Sequence, residues 1–257
     1  MSKRTIGSAV SLALSVLAVG LSGAALLFAT GTLDAERPVS ADFASQARSY
    51  LLENPEVLVE SFRLLEERQQ AAETNELQVV IAERRDEIFH DPAAPVGGNP
   101  QGAVTLVEFF DYNCPYCRKA IPVLAEAEEA NDELRVVYKE FPILGPGSEF
   151  AARAALASQK QGRYEPFHEA MMAYSGSIDE SSTLEIAAQV GLDVEQLKQD
   201  MQDPQIEEAI GRNLALAQAL RITGTPTFIV GDEIVRGLVD AATLQEIIAD
   251  ATTPGER

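Results

Sequence analysis

The sequence contains few of the residues from which metal and nucleic-acid sites are built. Its 257 residues include only two cysteines and two histidines, and 20 lysines and arginines against 40 aspartates and glutamates. A zinc site usually needs four cysteine or histidine ligands at paired spacings, which His90 and His168 do not provide. The net charge of −20 excludes nucleic acid and anionic lipid as partners, because both are polyanions. We therefore predict no metal site and no nucleic-acid partner.

The two cysteines form the motif Cys114-Pro115-Tyr116-Cys117. Two thiols at this spacing can close a small disulfide ring and reopen it by exchange with another thiol pair, which moves two electrons. An inert structural disulfide is the alternative, but so short a loop removes little entropy from the unfolded chain. We expect a redox-active Cys114–Cys117 disulfide and no separate cofactor.

The motif lies between a predicted strand and a predicted helix. Val104–Phe110 is apolar and β-prone, whereas residues 117–130 are rich in alanine and charged side chains. Cys114 then falls near a helix N-terminus, where unpaired amides, the helix dipole and basic neighbours favour a thiolate. Pro115 suits the first helical turn, where its missing N–H costs nothing. We expect Cys114 to be the exposed nucleophile with a low pKa, and Cys117 to be the resolving thiol.

The first forty residues have the composition of an export element. Lys3 and Arg4 precede an uncharged stretch, residues 5–33, which is followed by acidic residues from Asp34 onward. The stretch is longer than an ordinary signal-peptide core and close to the ~20 residues that span a bilayer. Residues 1–33 are therefore either a cleaved signal peptide or an uncleaved signal anchor. Both predict a periplasmic protein, held at the inner membrane in the second case, in a compartment where a disulfide persists.

A helical arm is predicted for residues 40–90. Ser40 can cap a short helix, and Asn54-Pro55 can begin a second, long helix that continues to the end of the arm. Apolar residues of the long helix share one seam, although its positions Gln69 and Glu76 are polar. The arm is therefore either an amphipathic helix packed on its own domain or an oligomerisation element. The apolar seam positions are Leu58, Phe62, Leu65, Ala72 and Val79.

The remainder of the chain predicts an α/β domain over residues 99–253. It follows a linker, residues 91–102, that is rich in proline and glycine. The strand before the motif, the motif helix and a second strand at residues 134–141 make a βαβ unit. Helical patterns then dominate an insertion at about residues 146–221.

Strand patterns return after this helical insertion. They occupy Thr227–Val230 and residues 234–236, joined by a turn that contains Gly231 and Asp232, and Asp240 can cap a final helix. Strands on both sides of a helical block predict one mixed sheet that is completed late in the chain.

The motif, together with Gly224-Thr225-Pro226-Thr227-Phe228, resembles the DsbA family of thioredoxin-fold disulfide oxidoreductases. The resemblance covers about residues 100–251 and rests on the strand that enters C-P-x-C, the helical insertion and the Thr-Pro before the last hairpin. The run before Cys114 and the Asn54-Pro55-Glu56 segment are most similar to the exported branch that includes ScsC-type and Com1-like proteins. The resemblance implies a thioredoxin-like fold with an all-helical insertion, preceded by an arm through which some members oligomerise.

The resemblance also implies roles for individual residues. Thr225-Pro226 is expected to be a cis peptide beside the disulfide, where a proline leaves the preceding backbone free to bind an extended substrate chain. Pro115 and Tyr116 are expected to complete this substrate-binding surface. The best-known oxidising members carry histidine where this chain has Tyr116, and a neutral tyrosine cannot stabilise a thiolate as an imidazolium does. The oxidising strength of those members is therefore not transferred to this chain.

Glu108 matches the acidic residue that family members bury beneath the active site. From that position a carboxyl group could take or supply the proton of Cys117 during exchange. Lys139, on the next strand, is expected to be its partner. The alternative is that Glu108 is an outward-facing strand residue.

We expect an exported thiol–disulfide oxidoreductase that acts on cysteine-containing exported proteins and is reoxidised or reduced by a membrane partner. An oligomeric disulfide isomerase of the ScsC type would use the same site with Cys114 delivered reduced. A copper-binding protein is a further alternative, since two thiolates suit Cu(I). An interaction protein with an idle thioredoxin domain would predict a degraded site, which the intact cysteines and Thr225-Pro226 oppose.

Overall fold

The computed structural model describes residues 40–252, so the predicted export element, residues 1–33, lies outside the described residues. The chain divides into two compact units, with the boundary between Glu67 and Arg68. Within the described residues, none of the helices combines the length and the apolar character that crossing a bilayer requires.

Within the described residues, the first unit contains α1 (Ala41–Glu53) and the first part of α2 (Glu56–Glu83). Ser40 caps α1 as predicted, since its Oγ accepts a hydrogen bond from the backbone N–H of Phe43 at 3.2 Å. The helix ends at Asn54, and Pro55 leads into α2. Several apolar side chains of this unit are exposed, among them Phe62 at 65 %.

The last part of the predicted arm belongs to the core of the second unit. Ile81 of α2 is buried, and the helix stops at Glu83 rather than continuing to residue 89. A short α3 (Arg85–Phe89) follows, and it buries Ile88 and Phe89 against the sheet. The prediction of one unbroken helix is wrong here, because the backbone of Arg84 leaves the helical conformation between α2 and α3, with φ −108° and ψ 21°.

The sheet has five strands in the order β1-β3-β2-β4-β5. Strands β2 and β3 are parallel, as the βαβ unit predicts, and the other three pairs are antiparallel. The bounds are Val96–Gly98 for β1, Val104–Phe110 for β2, Leu134–Glu140 for β3, Thr227–Val230 for β4 and Glu233–Arg236 for β5.

Strand β1 lies inside the segment predicted to be a linker. Its register places Val96 beside Val137 and Gly97 beside Val136 of β3. A Cβ atom at Gly97 would lie 2.9 Å from the Tyr138 ring, so the strand needs glycine at this position. A three-residue edge strand containing two glycines has no strand-like sequence pattern, which explains why it was missed.

The helices of the second unit pack on both faces of this sheet. The motif helix α4 (Pro115–Ala130) and the last helix α10 (Ala241–Thr252) share one core with most of the insertion. The second core lies on the other face, between the sheet, α3 and the C-terminal part of the last insertion helix. The insertion itself consists of α5 (Pro146–Ser158), α6 (Tyr164–Ala173), α7 (Glu180–Gln189), α8 (Val194–Asp200) and α9 (Pro204–Ala219).

Candidate active site

The two cysteines lie at the junction of β2 and α4, as predicted. Cys114 is the N-cap of α4, and Pro115 is its first residue. The sulfur of Cys114 accepts a hydrogen bond from the backbone N–H of Cys117 at 3.4 Å. The structure describes both residues as free thiols. A sulfur atom therefore occupies the position at which the helix N-terminus favours negative charge.

Cys114 is less exposed than predicted. Its exposed fraction is 4 %, against 0 % for Cys117. The cover comes from the loop before β4, where the Cys114 thiol lies 3.2 Å from the carbonyl oxygen of Thr225. The peptide bond between Thr225 and Pro226 is cis, as the resemblance implied. Cys114 and Thr225 are therefore in contact although they are 111 positions apart in the sequence.

Cys117 and Glu108 are buried beneath this surface. Burial, followed by the negative charge of Glu108, raises the pKa of the Cys117 thiol. Glu108 is fully buried, and neither of its carboxylate oxygens has a hydrogen-bond partner in residues 40–252. Burial raises the pKa of Glu108 to about 8. The alternative of an outward-facing Glu108 is therefore wrong, and an acid that holds a proton near neutral pH lies below the thiol pair.

The prediction that Lys139 is the partner of Glu108 is also wrong. In the parallel pairing of β2 and β3, Glu108 is beside Tyr138, whereas Lys139 is beside Phe109. Successive side chains of a strand point to opposite faces, so Glu108 and Lys139 lie on opposite sides of the sheet. The ammonium nitrogen of Lys139 instead lies 2.8 Å from a carboxylate oxygen of Asp91.

The two basic residues that follow Cys117 have contacts of their own. The guanidinium group of Arg118 donates two hydrogen bonds to the carbonyl oxygen of Tyr112, at 2.9 and 3.1 Å. The ammonium group of Lys119 lies 5.5 Å from the centre of the Tyr116 ring. That ring is 56 % exposed and therefore forms part of the surface next to the cysteines.

Asp111, at the end of β2, organises the loop that enters the motif. One of its carboxylate oxygens accepts hydrogen bonds from the Asn113 backbone N–H at 2.8 Å and the Ser148 hydroxyl at 2.7 Å. The other accepts from the backbone N–H groups of Ile143 and Leu144, at 2.8 and 2.9 Å. A single buried carboxylate thus joins the motif loop to the segment after β3 and to α5.

Asn113 extends this attachment into the insertion. Its side-chain oxygen accepts a hydrogen bond from the backbone N–H of Ile178, and its side-chain nitrogen donates to the carbonyl oxygen of the same residue. Sequence reasoning gave Asp111 and Asn113 no role. The feature of the sequence that could have indicated a role for them is their position directly before Cys114.

Tyr112 is held in a buried polar cluster on the insertion side. Its hydroxyl donates to Glu140 at 3.0 Å and lies 3.1 Å from Nδ1 of His168. The Tyr164 hydroxyl also donates to Glu140, at 3.0 Å. Burial raises the pKa of Glu140 and lowers the pKa of His168 to about 3. All three residues before Cys114 are therefore fixed by side-chain hydrogen bonds to distant parts of the chain.

The profile of the DSBA-like thioredoxin domain matches residues 105–249, which is more than half of the chain. The chain belongs to the DSBA-like thioredoxin family. A second profile, that of the N-terminal domain of copper resistance protein ScsC, matches residues 41–72. The DSBA-like domain thus carries the cysteines, and the ScsC-like segment corresponds to α1 and the first part of α2.

Two solved structures show how far this similarity extends. A thioredoxin-like oxidoreductase from Silicibacter pomeroyi DSS-3 is 53 % identical, with a TM-score of 0.64, over 65 % of this chain and 96 % of that one. A linker-deletion variant of ScsC from Proteus mirabilis is 27 % identical, with a TM-score of 0.65, over 83 % and 97 %. The fold of the DSBA-like domain is that of thiol–disulfide oxidoreductases.

The curated relatives are much longer proteins. The Na(+)/H(+) antiporter NhaA of Herminiimonas arsenicoxydans is 32 % identical over 163 residues, which are 63 % of this chain and 26 % of that protein. The chain spans about a quarter of the length of the curated relatives it matches.

Proposed function

We propose that this protein exchanges disulfides with cysteine-containing exported proteins through Cys114 and Cys117. The observation that carries the proposal is the position of the thiol pair, with Cys114 at the N-cap of α4 beside the Thr225 carbonyl and Cys117 buried above Glu108. The Cys114 thiol contacts the N-terminus of α4 and the loop before β4, whereas burial keeps the Cys117 thiol protonated. This asymmetry is what a nucleophile and a resolving thiol require.

The exchange can be followed atom by atom. A substrate thiolate attacks the sulfur of Cys114 in the oxidised enzyme, the Cys114–Cys117 bond breaks, and Cys117 leaves as a thiolate. Glu108, whose pKa is about 8, can protonate that thiolate. The second thiolate of the substrate then attacks the substrate sulfur of the mixed disulfide. Cys114 is released as a thiolate, so the enzyme gains the two electrons that the substrate loses.

The substrate surface is formed by Tyr116, Thr225 and the apolar residues near them. Ile143 and Leu144 are exposed while their backbone is held by Asp111, which places both side chains next to the motif loop. Leu238 is also exposed and follows Gly237, whose N–H donates to the carbonyl oxygen of Pro226. An exposed apolar rim around a thiol favours unfolded polypeptide chains as substrates.

Mixed-disulfide trapping tests the assignment of the two cysteines. The Cys117→Ser variant should accumulate substrates on Cys114, because the internal thiol that resolves the mixed disulfide is missing. Gels without reductant should show new high-mass bands that dithiothreitol removes. Cys114→Ser is the matched control and should trap at least tenfold less. Equal trapping by the two variants would contradict the assignment.

The direction of exchange depends on the arm, the compartment and a redox partner. We propose that residues 1–33 export the chain to the periplasm and that a membrane protein reoxidises or reduces the cysteines there. The uncharged, largely apolar stretch after Lys3 and Arg4 supports export. The ScsC-like match and the exposed apolar residues of α1 and α2 support an oligomer formed through the arm. An oligomer with several thiol pairs can bind one misfolded chain at more than one point, which favours isomerisation.

The copper alternative has less support. The segment that matches the ScsC N-terminal domain, residues 41–72, contains no cysteine, histidine or methionine. In residues 40–252 no group of three or more histidine, cysteine, aspartate or glutamate side chains could hold a metal ion. A copper site in the described residues would therefore use the sulfur atoms of Cys114 and Cys117, the same atoms that the exchange reaction uses.

A further inference from the structure

A polar cleft lies at the end of β2 opposite the cysteines. Its volume is about 500 Å³, and its walls are formed by α3, residues 100–105, the start of β3 and the turn at Gly231. Strand β2 runs seven residues from Val104 to Phe110, so the cleft is about 20 Å from the motif. It is therefore separate from the candidate active site, and neither the exchange reaction nor the substrate surface uses it.

The ionisable side chains that line the cleft are all basic. Arg85 comes from α3, His90 follows α3, and Arg135 comes from β3. In the described part of the chain no acidic side chain lines it. The whole chain has twice as many acidic residues as lysines and arginines, so an ordinary surface cleft would be lined mostly by acids. The cleft is therefore basic, although the protein as a whole is acidic.

Neither arginine has an acidic partner in the part of the chain that the structure describes. Across residues 40–252, no carboxylate oxygen lies within ion-pair distance of Arg85 or Arg135, whereas the neighbouring Arg84 pairs with Glu87 at 3.1 Å. Arg135 is half-buried, and burial lowers the pKa of its guanidinium group. A partly desolvated guanidinium group without a counter-ion is costly, and a bound anion would offset that cost.

Phe89 fixes both guanidinium groups at one wall of the cleft. Its carbonyl oxygen accepts a hydrogen bond from Arg135 at 2.8 Å, and the guanidinium carbon of Arg85 lies 5.1 Å from its ring centre. Two carboxylates contact residues that line the cleft, and both contacts are made away from the arginines. Glu133 accepts a hydrogen bond from the backbone N–H of Ala103, and Asp86 contacts His90 at 3.4 Å. The remaining N–H donors of both arginines are left for a ligand.

We propose that this cleft binds a small molecule through a phosphate, sulfate or carboxylate group held by Arg85 and Arg135. Planar guanidinium groups bind such oxyanions through two parallel hydrogen bonds. The volume is within the range of small-molecule sites. The proposal is restricted to small anions, because the net charge of −20 repels an extended polyanion.

Calorimetric titration of the reduced, exported chain tests this site with inorganic phosphate, sulfate and citrate at one fixed ionic strength. We expect saturable binding of at least one of the three anions. Arg85→Gln and Arg135→Gln should each weaken it fivefold or more. Arg163→Gln is the matched control, since Arg163 is exposed, has no ion pair in the described chain and loses the same charge. This control should bind with unchanged affinity.

Two results would overturn the proposal. The first is that none of the three anions binds saturably. The second is that all three variants weaken anion binding equally, which would indicate a general effect of net charge. Arg135→Gln also loses the hydrogen bond to Phe89, and if this variant does not fold, Arg135→Lys replaces it. Lysine keeps the positive charge but lacks the planar guanidinium group with its parallel N–H donors. Weaker anion binding by Arg135→Lys therefore supports the site, and unchanged binding contradicts it. The rate of disulfide exchange by Arg85→Gln should equal that of the wild type.

Discussion

Glu108 is an acid beneath Cys117, and its two carboxylate oxygens are buried with no hydrogen-bond partner among the described residues. Its pKa is about 8 in the folded chain, against an ordinary value of 4.5. The folded state therefore keeps a proton that the unfolded state releases above pH 4.5. Stability conferred by that proton is lost as the pH rises from about 5 to about 8, and it is constant above this window.

Glu108→Gln should remove this pH dependence. The variant should gain stability over the wild type between pH 5 and pH 8, by on the order of 4 kcal/mol at the upper end, since one pKa unit corresponds to 1.36 kcal/mol. Urea unfolding of the reduced proteins at several pH values measures the difference. From the oxidised enzyme, the variant should also form mixed disulfides about tenfold more slowly near pH 7, because the proton donor for the departing Cys117 thiolate is lost.

Glu129→Gln is the control for this prediction, since Glu129 is an exposed residue of the same charge on α4. It should follow the wild type in both measurements. A parallel pH dependence of wild type and Glu108→Gln would show that Glu108 ionises normally in the folded protein.

The positions of the site residues were predictable where the signal was local. Cys114, Pro115 and Cys117 are read from one strand-to-helix junction, and the structure places them there. The Lys139 assignment failed because it required the register of β2 against β3, and a shift of one residue moves a side chain to the other face.

At the scale of elements, the loop between β2 and α4 depends on contacts that are distant in sequence. Asp111 bonds to groups 32 to 37 residues away, and Asn113 to Ile178, 65 residues away. No short-range pattern reports such contacts. The same reason explains the break at Arg84, since only the completed sheet gives Ile88 and Phe89 a surface to pack on.

Asp111→Ala should destabilise the domain by about 3 kcal/mol, because it leaves buried N–H and hydroxyl donors without an acceptor. Ser148→Ala removes a single one of these donors and should cost about 1 kcal/mol. Thermal or urea unfolding of the two variants gives the comparison. The substitution at Asp111 should also change the alkylation rate of Cys114, whose loop it fixes. Equal stability of both variants would mean that the loop is held by other contacts.

At the scale of the whole molecule, the arm is the part whose role the fold of the domain does not explain. Phe43, Tyr50, Val59 and Phe62 of the first unit are all more than half exposed. Exposed apolar side chains at this density are typical of an interaction surface. The second unit begins at Arg68, so a chain that starts there retains Ile81, Ile88 and Phe89 in its core.

Removal of the first part of the arm, residues 40–67, should convert an oligomer into a monomer. A chain starting at Ser40 should show the higher mass in light scattering, and a chain starting at Arg68 should be monomeric. The shorter chain should still exchange disulfides but should reactivate a scrambled-disulfide substrate at least tenfold more slowly. Phe62→Glu in the longer chain should have the same effect, whereas Glu66→Gln should have none. Equal mass and equal reactivation by both chains would leave the arm as a spacer and remove the support for an isomerase.

The contact between Cys114 and Thr225 has a consequence for the newly made chain. The two residues are separated by 111 positions. At about 5 to 20 residues per second, a ribosome needs on the order of 10 s to synthesise that interval. For that time each new molecule carries the Cys114 sulfur without the carbonyl group that later covers it. The length of the helical insertion thus sets how long biosynthesis leaves this thiol uncovered.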